Sequence, residues 1–164
     1  MGSIRIAYNN HRKVSFLLIA LFAFLILFFV IPFWFVNYLS FSGVSHFLNK
    51  YSYLSIFPFI ILIYFLLTGK YYYSIKIDSY SIQIESYNAF LGFFRDKDYI
   101  DISNDMLFDY AFFNRSYSLN KTMMIKFKGH NNKKVVKRFT LTLIKDQEIK
   151  RIGDILDKLI LKNS

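Results

Sequence analysis

Five aspartates are crowded into the middle of the sequence and are the first residues to consider for chemistry. They are Asp96, Asp98, Asp101, Asp105 and Asp109. Neighbouring carboxylates can bind a cation or act as paired general acid and base, but this spacing fits neither a calcium loop nor a metal-binding helix motif. Because Arg95 and Lys97 lie among them, we interpret the aspartates as solvated residues of loops and strand exteriors.

The remaining titratable residues suggest no catalytic centre. The chain has no Cys, which excludes disulfides and thiolate metal sites, and its histidines, His11, His46 and His130, are far apart in sequence. The sequence contains no glycine-rich phosphate loop and no nucleophile elbow. We therefore expect a protein that is not an enzyme and that has no catalytic residues, bound metal or cofactor.

Basic residues of the last predicted hairpin, and of the segment leading to it, form the second candidate site. They are Lys121, Lys126, Lys128, Lys133, Lys134, Lys137 and Arg138. Beside a bilayer, each well-placed cation would be attracted to anionic headgroups by about 1 kcal/mol. The simpler interpretation is that these residues solvate an edge hairpin and prevent edge-to-edge pairing. The cluster is thus a possible contact for anionic lipid or for a protein partner.

The composition indicates that water is not the only solvent of this protein. Of 164 residues, 54% are hydrophobic and 21% aromatic, including 20 Phe, which is too apolar for a typical soluble domain of this size. All eleven acidic residues lie after position 70. The net charge of +10 divides evenly between residues 1–70 and 71–164, and neither part is basic enough to indicate a nucleic-acid partner.

Two uncharged runs in residues 1–70 predict a transmembrane hairpin. Residues 14–36 are 23 residues without a charge, enough at about 1.5 Å per residue to cross a hydrocarbon core of about 30 Å. A cleaved signal peptide is the alternative, but its apolar region usually has only about 7–15 residues. Residues 51–68 form the second predicted span, in which Pro58 should either be tolerated near the helix start or kink the helix.

Basic residues beside the spans predict the orientation of the hairpin. Arg5, Arg12 and Lys13 precede the first span and Lys70 follows the second, whereas the connecting residues 37–50 contain only Lys50. Both termini should therefore be cytoplasmic. The residues expected to anchor the protein at the membrane interface are Arg12, Lys13, Trp34, Tyr38, Lys70, Tyr71 and Tyr72.

Residues 71–164 show the alternating pattern of a small β domain. Isoleucines alternate with polar residues on both sides of a turn at residues 78–80, and a second clear hairpin covers 122–128 and 138–143. Shorter strands are predicted at 90–95, 98–102 and 106–113. A helix over 146–162 carries one apolar stripe of Ile149, Ile152, Leu156, Leu159 and Ile160.

This order of elements is similar to that of a known family. The patterns are YYYSIKIDSYSIQI after the second span, RDKDYIDISN in a middle strand and KRFTLTL before the last helix. Two spans, about seven strands and a terminal helix resemble the bacterial membrane-anchored pleckstrin-homology-like (PH-like) proteins. The resemblance implies an α+β membrane protein with a seven-stranded antiparallel half-open barrel and a C-terminal helix, used for binding or scaffolding without catalysis.

We therefore expect a membrane-tethered binding or scaffolding module at the cytoplasmic face of a bacterial inner membrane. Its expected partners are the lipid bilayer and either another membrane protein or a second copy, and not nucleic acid. The alternative is a membrane-resident immunity or accessory protein for a secreted toxin or secretion system, which no motif supports. A transporter is disfavoured because the spans contain no ionisable residue other than Tyr.

Overall fold

The structure of the protein is a computed structural model. It describes residues 6–30, 34, 46, 50, 56–90, 97–114, 118–129 and 133–163. The chain divides into two compact units, one of Met1–Val14 with Gly69–Ser164 and the other of Ser15–Thr68. We call the first the β unit and the second the apolar segment.

Two antiparallel sheets and a helix form the β unit. The four-stranded sheet has the order β1 (Ile6–Asn9), β2 (Tyr71–Ile77), β3 (Ser81–Asn88) and β4 (Asp98–Ser103), and the three-stranded sheet has the order β5 (Leu107–Asn114), β6 (Asn120–Lys128) and β7 (Lys134–Thr142). The helices are α1 (His11–Leu25), α2 (Ile56–Thr68) and α3 (Asp146–Asn163). The predicted α+β class, the antiparallel sheets and the C-terminal helix are thereby confirmed.

The strands follow the alternation of the sequence. Ile75, Ile77, Ile82 and Ile84 are fully buried, and β2 pairs with β3 through a turn closed by a hydrogen bond from the Asp78 N–H to the Ser81 carbonyl (2.9 Å). The predicted strand over 90–95 falls almost entirely outside the described residues. Predicted strands at 98–102 and 106–113 correspond to β4 and β5.

Strand β1 was not predicted, and it changes how the β unit is built. Its residues lie before the apolar segment, yet they pair with β2 in an antiparallel register that aligns Ile6 with Ile77 and Tyr8 with Ile75. Ile6 and Tyr8 pack against the core of the β unit. The β unit therefore does not begin at residue 71, and the apolar segment is inserted between two strands that are neighbours in one sheet.

The core lies between the two sheets and α3. Ile152, Leu156 and Leu159 of the predicted helical stripe are buried there, and they pack with buried residues of both sheets, namely Tyr73, Ile75, Ile77, Ile82, Ile84, Ile100, Ile102, Leu107, Met123, Ile125, Phe139 and Leu141. Gly153 allows α3 to approach the Tyr110 hydroxyl, since an added Cβ would lie 3.1 Å from that oxygen. The same hydroxyl donates to Asp157 (2.8 Å), which fixes the helix on β5.

The apolar segment is helical over its described residues. Helix α1 continues into a π-helical turn at Ile26–Val30. Within the described residues, His11–Phe28 is the one helix long and apolar enough to cross a membrane, with 18 residues and a mean hydropathy of 1.9, whereas α2 has 13 residues. Residues 51–55 of the second predicted span, most of the connecting segment and residues 31–33 and 35–36 lie outside the described range.

Replacing Tyr8 by Ala should destabilise the β unit by about 1–2 kcal/mol, because a half-buried aromatic side chain of β1 would be lost from the core. Ala7→Ser is the matched control, since Ala7 is an exposed residue of the same strand. Thermal unfolding of the full chain in mild detergent, followed by circular dichroism, measures both. Equal melting temperatures for the two variants would contradict the placement of β1.

Candidate functional site

Asn10 follows β1 directly, and its side chain connects this end of β1 to the start of β2. Its side-chain amide donates to the carbonyls of Tyr71 and Thr142, both at 2.8 Å, and its Oδ1 accepts from the Tyr73 N–H at 2.8 Å. The residue is only 1% exposed. Helix α1 begins directly after Asn10, and β2 begins shortly after the end of α2. The Asn10 side chain therefore holds together the two positions of the β unit at which the chain leaves for the apolar segment and returns from it.

Two further buried side chains complete this arrangement. The Thr142 hydroxyl accepts from the Tyr71 N–H (2.8 Å) and donates to Oδ1 of Asn120 (2.6 Å), and the Asn120 amide donates to the Gly69 carbonyl (3.0 Å). Asn120 and Thr142 are fully buried. We call Asn10, Asn120 and Thr142 the junction network, and the region of the β unit around it the junction end.

Gly69 ends α2 in the left-handed conformation, with a φ of +61°, which only glycine adopts without strain. An added Cβ would lie 3.1 Å from the ring of Tyr71 and 3.4 Å from the Asn88 amide. A side chain at this position would therefore meet both a strained backbone and a close neighbour. The glycine allows the chain to enter β2 while its carbonyl reaches Asn120.

A second connection at the junction end runs from Lys13 to the first turn of α3. One oxygen of Glu148 accepts from the Lys13 ammonium (3.1 Å) and the other from the Lys145 N–H (3.0 Å). The second bond is one half of a capping box. Burial raises the pKa of Glu148, but the Lys145 N–H and the Lys13 ammonium outweigh burial and hold this pKa below its usual value.

An open groove lies beside this connection. It has a volume of about 520 Å³ and is lined by Lys13, Ser118, Leu119, Lys121, Leu143, Ile144 and Lys145. Lys121 pairs with Asp146, so the cations of the groove are partly neutralised by Asp146 and Glu148. Leu143 has a φ of 59°, an unusual conformation for a residue with a side chain, while its N–H donates to the Leu119 carbonyl (3.0 Å).

Aromatic rings cover another part of the junction end. The His11 ring stacks on Tyr72 with centroids 4.7 Å apart, and Tyr72 and Tyr87 form a cross-strand pair at 5.3 Å. Lys97 lies over the Tyr87 ring at 4.8 Å and pairs with Glu85 at 3.0 Å. Amphipathic rings and lysines of this kind are typical of residues at a membrane interface.

The predicted interface anchors have different environments. Tyr71 and Tyr72 lie at the junction end, Lys13 pairs with Glu148, and Arg12 and Trp34 are exposed, whereas Tyr38 lies outside the described residues. Lys70 is fully buried, and burial lowers the pKa of its ammonium. The side chain of Lys70 is therefore enclosed in this structure, unlike that of the exposed Arg12.

The seven residues of the predicted basic cluster do not share one surface. Lys121 lines the groove, Lys126 pairs with Asp109 (2.7 Å) and Lys137 donates to the Tyr99 carbonyl (2.9 Å). The other four residues of the cluster are exposed, and among the described residues no carboxylate forms an ion pair with them. They are Lys128, Lys133, Lys134 and Arg138. Since β6 begins at Asn120, the eight-residue step to Lys128 places the tip of this hairpin roughly 26 Å from the junction network.

The predicted aspartate cluster is dispersed over β4, the following turn and β5. Asp101 accepts from Gln83 (3.1 Å) and from the Tyr99 hydroxyl (3.2 Å), and Asp109 forms the ion pair with Lys126. The Lys126 hydrogen bond holds the pKa of Asp109 below its usual value. Asp98 and Asp105 are exposed, and Asp96 lies outside the described residues. No group of three possible metal ligands occurs in the described part of the chain.

The junction network has no recognisable signature in the sequence. Asn10 precedes a helix, which is a helix-capping signal, but its side chain bonds to residues 61 to 132 positions away instead. Asn120 and Thr142 are ordinary polar residues at the ends of strands. Periodicity does not reveal such contacts, because they depend on the pairing of the two sheets.

The comparisons with known proteins found no relative of this chain. No family model, no curated protein and no solved structure matches the chain.

Replacing Asn10 by Ala should lower the free energy of unfolding by about 2–4 kcal/mol, since a buried N–H and two carbonyls would lose their partner. Asn9→Ala is the matched control, because Asn9 is exposed at the preceding position. Urea unfolding of the full chain in detergent measures both variants. If Asn10→Ala is as stable as Asn9→Ala, the junction network is not a structural constraint.

The lowered pKa of Glu148 predicts a specific dependence of stability on acid. An ionised Glu148 stabilises the fold above its ordinary pKa of 4.5, and this stability is lost as the pH falls through the lower folded-state value. The free energy of unfolding should decrease between about pH 5 and pH 2, and Glu148→Gln should make this decrease smaller by about 0.5 kcal/mol. Asp154→Asn, an exposed change on the same helix, should leave that decrease intact; an identical effect of both substitutions would refute the assignment.

Proposed function

We propose that the protein is a non-catalytic, membrane-tethered binding module at the cytoplasmic face of a bacterial inner membrane. The apolar segment would span the membrane as a two-helix hairpin, and the β unit would present binding surfaces to the cytoplasm. The observation that carries this proposal is the junction network, which holds both connections to the apolar segment at one end of the β unit.

The surface of the apolar helices supports membrane insertion. In α1 the Phe16 side chain is 73% exposed, and in α2 that of Leu67 is 81% exposed. Large contiguous apolar surfaces are rare on soluble monomers, whereas helices satisfy their own backbone hydrogen bonds in lipid. At about 1.5 Å per residue, α2 alone spans only about 20 Å, so the second span needs residues 51–55 as the sequence predicts.

The chemistry of the junction end supports a position near the headgroups. Lys13, Lys121 and Lys145 lie around a groove with an apolar floor, and the rings of His11 and Tyr72 lie in the same end of the unit. Lysines attract anionic headgroups and amphipathic rings favour the interface. Since the apolar segment is Ser15–Thr68, His11, Lys13 and Tyr72 are within a few residues of the predicted spans along the chain.

The sheet order supports the resemblance to PH-like proteins. A four-stranded and a three-stranded antiparallel sheet followed by a C-terminal helix is the arrangement that a half-open barrel of this type requires. The position of β1 differs from the expected order, because the apolar segment interrupts the strands instead of preceding all of them. Membership in the family remains part of this proposal.

Membrane insertion and orientation can be tested on the full chain, which has no Cys. We expect the protein to remain in the membrane fraction after alkaline carbonate extraction. With single cysteines introduced separately, His46→Cys in the predicted external loop should react with a membrane-impermeant maleimide in intact cells. Leu161→Cys, at a position 77% exposed, should react only after the inner membrane is opened.

Each result has a defined contrary outcome. Release of the protein by carbonate would reject the membrane hairpin. Labelling of Leu161→Cys in intact cells would reverse the orientation, and denatured protein provides the control that both cysteines are reactive.

A further inference from the structure

One face of the three-stranded sheet has an unusual combination of cationic and apolar side chains. Residues paired across the strands place their side chains on the same face, and two rows define this one: Ala111, Met124 and Arg138, followed by Asp109, Lys126 and Val136. The alternate residues Met123, Ile125 and Phe139 are buried in the core with α3. We call the opposite face the outer sheet face.

A β-bulge adds an aromatic ring to the outer sheet face. Leu107 pairs with Phe127 and Asp109 pairs with Lys126, so Phe108 is the extra residue between them. Its ring is 46% exposed and lies 4.5 Å from the Lys134 ammonium. Phe113 and Val136 are also about half exposed, so aromatic and aliphatic surface lies between the cations.

The outer sheet face has more cationic than anionic charge. Asp109 neutralises Lys126, and Lys128 lies close enough to Asp105 to help lower the pKa of that carboxyl. Within the described residues no ion pair involves Lys134 or Arg138, and both are exposed. By contrast, Lys13 and Lys121 at the junction end pair with Glu148 and Asp146. Unpaired cations produce a stronger field toward an approaching anionic ligand than paired ones.

We propose that the outer sheet face binds an acidic segment of a partner protein, one in which carboxylates alternate with bulky apolar residues. The carboxylates would pair with Lys128, Lys134 and Arg138, and the apolar side chains would pack on Phe108, Phe113 and Val136. This combination matches protein recognition, in which buried apolar anchors supply affinity and charge complementarity supplies specificity. The inference names the partner of the proposed binding module and rests on that function.

The position of the face favours a protein over the bilayer. Lys128 and Lys134 are directly paired near the hairpin tip, roughly 26 Å along β6 from Asn120, whose side chain binds the carbonyl of Gly69 just after the apolar segment. In the proposed function, the cations assigned to headgroups are Lys13, Lys121 and Lys145 at the junction end. The cations of the hairpin tip have no such assignment, and we assign them to the protein segment.

The test uses the full chain in nanodiscs of phosphatidylcholine, a lipid without net charge. The probe is a fluorescein-labelled peptide in which Glu alternates with Leu and Phe, and its control has Lys in place of every Glu. Fluorescence anisotropy should show binding of the acidic peptide only. Lys134→Glu with Arg138→Glu should weaken binding about tenfold, whereas Lys150→Glu with Arg151→Glu, an equal charge change at exposed positions of α3, should have little effect.

An apolar pair of variants tests the second half of the proposal. Phe113→Ser should weaken peptide binding severalfold, and Leu161→Ser, which alters an exposed apolar residue of α3, should not. Equal losses in the test and control variants would overturn the proposal, as would equal binding of the two peptides.

A final comparison separates the bilayer from the protein partner. Nanodiscs that contain anionic phosphatidylglycerol should still allow peptide binding if the face is directed to the cytoplasm. Loss of peptide binding in these discs to the level of the charge-reversed variant would assign the face to the membrane and reject the proposal. Failure of the proposed membrane tether would be detected separately by carbonate extraction, while peptide binding would remain measurable in detergent.

Discussion

The β unit depends on a small set of buried polar groups that satisfy one another. Asn10, Asn120 and Thr142 connect the ends of β1, β2, β6 and β7, and each uses its side chain to bind backbone groups or another member of the network. A buried polar group without a partner costs about 1–3 kcal/mol. The network is therefore stable only when both sheets and both connections to the apolar segment are in place at the same time.

The insertion of the apolar segment explains why such a network is needed. Closing a long segment between two adjacent strands costs conformational entropy, although this cost grows slowly with length. The four residue pairs of β1 with β2 and the bonds of Asn10 offset it.

Sequence patterning predicted the elements whose burial has a regular period. The alternation of Ile75, Ile77, Ile82 and Ile84 predicted β2 and β3, and the stripe that contains Ile152 and Leu156 predicted α3. Strand β1 has only four residues, too few for a period to be recognised, and its partner lies beyond the apolar segment. The basic cluster shows a similar limit, because neighbouring residues such as Lys137 and Arg138 lie on opposite faces of a strand and so belong to different surfaces.

The two cationic surfaces differ in what their charges can do. At the junction end, carboxylates of α3 accept hydrogen bonds from Lys13 and Lys121, so much of the cationic charge is used to fix the start of α3. The outer sheet face has four cations, Lys126, Lys128, Lys134 and Arg138. Asp109 pairs with Lys126 and Asp105 lies near Lys128, whereas among the described residues Lys134 and Arg138 form no ion pair. Because attraction at a distance depends on net charge, we assign the proposed ligand to the outer sheet face. The cations of the junction end instead hold the start of α3 in the β unit.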